Sequence, residues 1–521
     1  MYPVSEEYKQ GIYNTNGRKT VARVVFEVLD IDAFEDNSKN VTSEAIISRL
    51  EQVTNKKRDM SRKYATYEPD YIKLDGSFIV PPRLEQAPEA EMGWWSEILC
   101  EENGVFNPYQ VLEFTFTKDH SSMGLTIVFD TAANEYAADF DIKVFNAADV
   151  LIHNEQVTDN TSPKYELMKQ LDNYRKIEVI IKKWAKGLRR ARVIEVDFGL
   201  VKEYDSKKLA SLKYLKEIDL IGKTIPISEL VFVVDNTKRE FNIVNPEGFY
   251  RSLQKRQEVK VEMGVEIFPD TFDYIPMGLF YLTDWKSDEG SLTTTFIAQD
   301  VIQFLDSFEM ENKIADLKSL YTLAEEILSA GGITNYEIDS TLQSINTQAI
   351  YKKMTARNLM RHICVAGRVV CFSNRNGGFV LKQLQETEPV DDITFHKAWE
   401  KPQITLDKLV ALVEVNIYHN GEVDSVYQLQ NGTEGEIYKV DNPLINDSTT
   451  AQAVAEWILS ILNKRAMYNV NWIQNPALDV GDMLEIENAY GIAPARLYKQ
   501  EIEYRGYTRG RSELRGAIEG D

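Results

Sequence analysis

The chain has 521 residues, with 81 Asp and Glu against 59 Lys and Arg and a formal net charge of −22. That length accommodates about three or four domains, and the acidic excess disfavours non-specific binding to a phosphate backbone. The three cysteines, Cys100, Cys364 and Cys371, form no Cys-x-x-Cys pair and no disulfide framework, which points to folding in a reducing compartment. No stretch approaches about 18 apolar residues, and the opening MYPVSEEYKQGIYNTNGRKT lacks the apolar core of a signal peptide.

In chain order, residues 20–30 are rich in β-branched side chains and read as a strand. Residues 42–56 read as a short helix with Ile46, Ile47, Leu50 and Val53 on one side. Residues 71–80, YIKLDGSFIV, read as strand, turn and strand about Asp75-Gly76. Pro81, Pro82 and Pro88 then mark a boundary. Beyond it, 111–116, 124–129, 139–145 and 176–182 read as strands, so 83–191 is expected to form a β-sandwich.

Further strands are expected at 192–201, 228–235, 258–267, 278–285 and 291–298. Residues 241–254 hold the turn Asn245-Pro246-Glu247-Gly248 before a short helical piece. The period changes at 320–365. Thr322 with Glu325 has the pattern of a capping box, and Thr355 is placed to cap a second helix carrying Leu359, Met360 and Ile363. Gly377-Gly378 turns strand 368–373 into strand 379–384. Strands are expected again at 409–417, 424–429 and 435–439. A helix follows from Ala451 to Leu462, capped by Asp447 or Ser448; a turn and strand over 476–486 and a strand near 498–505 complete the chain. The reading is mainly β with a small α+β domain: a discontinuous barrel-like region (1–82 and 192–310), the inserted sandwich (83–191), the α+β domain (311–400) and a second barrel-like domain with one helix (401–521).

The chemical signals are sparse. The five histidines, His120, His153, His362, His396 and His419, show no metal-ligand spacing. No nucleophile elbow, Walker A loop or dinucleotide fingerprint occurs. Asp139 with Asp141, or Asp273 with Asp284, could be chosen as a carboxylate pair, but a solvated surface is the plainer reading. The basic run 182–192, KKWAKGLRRAR, allows a nucleic-acid reading; a strand end and turn, or a basic patch meeting acidic neighbours, suits it better. Trp94, Trp95, Phe106, Tyr109, Tyr136 and Tyr165 crowd the inserted region. Aromatic rings there fill a core or stack on sugars, and Tyr136 and Tyr165, in polar loop-like context, are the expected glycan-facing pair.

Several segments resemble one family, the hub or tail-tip proteins of tailed bacteriophages and phage-derived particles. The resemblance rests on Asp235, Asn236, Phe241, Asn245, Pro246, Gly248, Tyr250 and Gly264, then on Pro276, Gly278, Phe280, Trp285, Ala298 and Asp300. It continues with Trp472, Pro476, Leu478, Gly481 and Asp482, and with LDGSF near the N-terminus. It covers roughly 1–82 and 192–521 and implies two hub-type β-barrels per chain, trimers of pseudo-sixfold symmetry closing a tail tube, and no cofactor, metal or catalytic residue. Implied partners are further copies, a distal tail or tube protein, and a spike, fibre or hydrolase on a separate polypeptide. DNA would pass in transit, and the implied location is the distal end of a virion tail, with synthesis in the bacterial cytoplasm. The family pattern makes the quoted residues fold-setting and assembly positions, with Pro276-Gly278 expected to form a turn that aims Phe280 and Trp285 into a barrel core. The region 83–191 resembles, more loosely, galactose-binding-like sandwiches and would contact wall glycan or a neighbouring protein. The alternatives are a host-wall polysaccharide-binding tail protein and a cell-wall hydrolase.

Overall fold

A computed structural model describes residues 1–14, 17–58, 63–73, 77–83, 87, 90–242, 245, 256–269, 271–288 and 290–518. It divides into two compact units, one of Met1–Val25 with Glu203–Asp521 and one of Phe26–Lys202. The chain is mainly β.

The smaller unit is a sandwich. Strands Asn37–Val41, Val105–Ser122, Leu171–Trp184, Ala137–Phe145 and Leu151–Val157 form one sheet in that spatial order. A second sheet sets Leu125–Val128 between Lys164–Leu167 and Glu195–Asp197. The alternation Leu112, Phe114, Phe116 on one strand and Ile177, Val179, Ile181 on its neighbour points every second side chain inward. These meet Leu125, Ile127 and Val196 of the other sheet in one core, as two stacked sheets require. The unit is wider than the expected 83–191. Asn37–Val41 pairs with the long strand Val105–Ser122, and Ala33 and Val53 belong to the same core, so residues assigned to the first barrel pack here.

In the larger unit the strands of both expected barrel regions pair into one continuous sheet. From Thr20–Leu29 its order runs Glu258–Phe268, Thr271–Lys286, Thr293–Gln299, Glu229–Asp235, Leu209–Glu217, Gly491–Tyr504, Thr508–Gly516, Ala466–Trp472 and Gln403–Leu406. The join is antiparallel pairing of Leu209–Glu217 with Gly491–Tyr504, from Leu212 opposite Tyr504 to Glu217 opposite Lys499. The remaining expected domains also merge. Helices Leu320–Ala330, Ala356–Gly367 and Ser448–Leu462 share a core with strand Val410–His419 through Leu323, Ile327, Leu359, Ile363, Val413, Val415, Val454 and Ile458. Residues 410–462 therefore pack with the α+β region, while 466–516 complete the large sheet.

Several expectations are corrected. Residues 42–56 contain only a 3-10 turn, Leu50–Thr54. The backbone N–H groups of Ala45 and Arg49 donate to the carbonyls of Trp95 and Gly93, which holds the segment as a loop and leaves Ile46 exposed. The Asp75-Gly76 turn expected within 71–80 lies outside the described residues, and Phe78–Ile79 pairs in parallel with Lys63–Tyr64. The first helix of the α+β region is capped three residues earlier than expected, by Ser319, whose hydroxyl accepts from the Thr322 N–H at 3.1 Å. Thr355 and Asp447 do cap the other two helices.

Candidate functional site

The two family-like segments of the large unit meet at a residue that carries no sequence signal. Asn374 to Gly378 form the turn between strands Val370–Ser373 and Phe379–Lys382, and Gly377 takes a positive φ of 76° there, against Leu279. The turn projects Arg375, whose guanidinium donates to the carbonyls of Pro276, Pro476 and Leu478, each at 2.8 Å. Asp479 lies 3.6 Å from Arg375 and 2.7 Å from the Lys216 ammonium. Burial alone would raise the Asp479 pKa, but Lys216 and Arg375 hold it below its usual value. The carbonyls near both motif prolines thus share one buried cation.

Around this joint the expected fold-setting residues separate into two groups. Trp472 is fully buried and its indole N–H donates to Ser512 at 3.0 Å. Pro476 and Leu478 are buried, and Gly481 turns the chain with φ 95°. Asp482 accepts from the N–H of Asp479 at 2.8 Å and pairs with the Met1 ammonium at 2.7 Å. Asn236 is buried and its side chain bridges Asn242, Ser287 and the Phe241 N–H, at 3.0, 2.9 and 3.2 Å. Asp235 is exposed and accepts from Thr237. Gly264 and buried Ala298 lie within strands, and buried Asp300 caps the turn Val301–Asp306. Asn245 donates to the Arg239 carbonyl at 2.9 Å. Pro246, Gly248, Tyr250 and the Leu74-Asp75-Gly76 element lie outside the described residues.

Pro276 and Gly278 form no turn. They lie inside strand Thr271–Lys286, where the pairing slips between Val261 and Glu262 and Gly278 adopts φ 152°. Phe280 enters the core, but Trp285, one residue from the strand end, is only partly buried.

Two arginines of the basic run are turned inward, whereas Lys186 stays exposed. Arg192 pairs with Glu68 at 2.6 Å and Asp130 at 2.9 Å, and stacks on Tyr71 and Trp95. Arg189 reaches Glu135 at 3.1 Å, and Trp184 is buried beside the same carboxylate. These groups meet acidic neighbours in the interior and cannot grip a nucleic acid. Tyr136 and Tyr165 are only half-exposed, and Tyr165 packs edge-on against Phe140 at 5.1 Å. Trp94, Trp95 and Phe106 are core residues, whereas Tyr109 is 48% exposed. Asp139 and Asp141 share a strand, and Asp141 is paired with Lys182 at 2.7 Å. All three cysteines are buried and unpaired by disulfides. Among the described residues no group of His, Cys, Asp and Glu is arranged to hold a metal.

The large unit also carries two bare strand edges. Gln403–Leu406 ends the large sheet, pairs only with Ala466–Trp472 among the described strands, and exposes all four residues. Glu422–Gln430 ends a three-stranded sheet, with Val410–His419 as its one partner among the described strands, and is exposed along most of its length. Neither strand contains Lys or Pro, residues that commonly protect an edge.

No family model matches the chain, and no curated protein matches it. Among solved structures it is similar to the tail protein from Neisseria meningitidis MC58, at 11% identity and TM-score 0.43, over 60% of this chain and 93% of that one. Prophage tail protein gp18 from Listeria monocytogenes EGD-e is similar at 12% identity and TM-score 0.41, over 61% of this chain and 92% of its own. The lectin domain of lectinolysin, solved with Lewis B antigen, is similar at 11% identity and TM-score 0.22, over 33% of this chain and 96% of its own. At these identities and TM-scores the likenesses carry no functional conclusion.

Proposed function

We propose that the chain is a non-enzymatic structural subunit of a phage-type tail, the hub that closes the distal end of the tail tube as a ring of three copies. The observation that carries this reading is the pair of bare edges, Gln403–Leu406 and Glu422–Gln430. Unpaired backbone donors and acceptors on a flat edge recruit another strand, so a stable protein covers them or protects them. Here they also bear the exposed apolar residues Ile404, Leu406, Val423 and Val426. Coverage by neighbouring copies meets both needs. The order of the motif residues from Asp235 to Asp482 supports the same reading. So does the Arg375 joint, which ties the two motif-bearing sheet segments into a stiff frame suited to load.

In this role the chain binds a tube protein on one side and a spike, fibre or separate hydrolase on the other. Its net charge of −22 keeps DNA in transit from adhering. The smaller unit would sit at the periphery, contacting a neighbouring protein or wall glycan. Tyr136 and Tyr165, both partly buried, remain the proposed glycan contacts. Gold labelling of this chain in intact particles tests the reading: label at the distal tip is expected, and label along the tail or on the capsid overturns it. Release of fragments from purified cell wall by the chain alone would overturn the non-enzymatic part.

A further inference from the structure

We infer that the large unit carries a saccharide-binding groove between Trp399 and Tyr507, separate from the smaller unit and independent of the hub reading. The groove has a volume of about 510 Å³, within the size range of small-molecule sites. Its floor is a sheet face on which Asn471, Arg511 and Glu501 stand directly opposite one another on three adjacent strands. Side chains paired in this way share one face and lie within reach of one small ligand. Trp399 is placed by its N–H, which donates to the Asn471 carbonyl at 2.9 Å, and is 59% exposed. Tyr507, on the turn joining strands Gly491–Tyr504 and Thr508–Gly516, is 50% exposed.

The composition of the lining selects the ligand. It contains two aromatic rings, carboxylates, guanidinium groups, an amide and a glycine, with no aliphatic side chain. A pyranose presents C–H faces to aromatic rings and vicinal hydroxyls to planar polar groups, which this lining provides. The charges are largely balanced internally: Glu501 pairs with Lys213 at 2.9 Å, and Glu503 with Arg509. Asn471 donates to Glu400, fixing both groups. Arg511 bonds Asn469 through Nε at 2.8 Å and faces Glu513 through Nη2 at 3.8 Å, which leaves Nη1 to meet a hydroxyl. A charged ligand would face both signs at once, so the class is a neutral sugar.

The test uses the full chain with its seven tryptophans replaced by 5-fluorotryptophan, read by fluorine NMR while cellobiose or N,N′-diacetylchitobiose is added to millimolar concentration. The line missing from the Trp399→Phe spectrum reports the site. It is expected to shift saturably with at least one disaccharide, and Tyr507→Ala is expected to weaken that binding about tenfold. Tyr109→Ala, in the other unit, should leave it unchanged. No saturable shift of that line with either sugar overturns the inference. So does a shift that follows protein concentration alone, with a matching rise in sedimenting mass, because a second copy would then occupy the groove. Neither result bears on where the chain lies in a particle.

Discussion

Trp285 and Trp472 each belong to one of the two family-like segments, yet their surroundings differ. Trp472 has no exposed surface and a satisfied indole N–H, so Trp472→Ala should cost about 3–5 kcal/mol in urea unfolding. Trp285, expected to be a core residue, is only partly buried, and Trp285→Ala should cost roughly 1–2 kcal/mol. Equal losses would contradict the assigned burial. Arg375→Ala should cost about 3–5 kcal/mol, because it strands three carbonyls and leaves the Asp479 carboxylate with Lys216 as its one remaining cation among the described residues. Glu195 supplies a pH-dependent case. Burial and the nearby Asp197 carboxylate push its pKa from 4.5 up to about 10, so it stays protonated in the folded chain while the unfolded chain ionises. The folded state then holds more protons, and stability falls as pH rises between those values. Glu195→Gln mimics the protonated form. Its melting temperature should match the parent below pH 4.5 and exceed it increasingly toward alkaline pH; a constant difference across that range would contradict the assignment.

At the scale of elements, legibility followed local chemistry. Helices Ala356–Gly367 and Ser448–Leu462 were readable because an N-cap and an apolar face are both written within the segment. The segment 42–56 imitates that pattern, but its backbone bonds run to Trp95 and Gly93, half a hundred residues away, which no periodicity reports. Strand Leu209–Glu217 went unread because LASLKYLKE is rich in good helix formers. It alternates all the same, with Leu212, Tyr214 and Lys216 buried, and it joins the halves of the large sheet. Arg375 was invisible for the same reason: its value lies in three distant carbonyls. The run 182–192 allowed two readings because charge alone does not tell pairing with carboxylates from exposure to phosphate; its arginines meet carboxylates, the reading that suited it better. The bare edges offer an element-scale prediction. Val423→Lys with Val426→Lys should leave the melting temperature nearly unchanged, as exposed substitutions do, and should reduce incorporation into particles. Normal incorporation would show that Glu422–Gln430 is no interface.

For the whole molecule, the mainly β character and the presence of a sandwich followed from alternation along single strands. The division into domains did not. The pairing that links the two expected barrel regions, and the packing of 410–462 with the α+β region, depend on long-range contacts such as Leu212 with Tyr504. A sheet of that extent, ending in a bare strand, is coherent as one part of a larger closed structure. An electron cryomicroscopy reconstruction of tail particles containing this chain tests that claim most directly. The account predicts three copies around the tail axis at the distal end, with Gln403–Leu406 and Glu422–Gln430 covered by neighbours. A single copy away from the axis, or both edges bare to solvent in the particle, would contradict it.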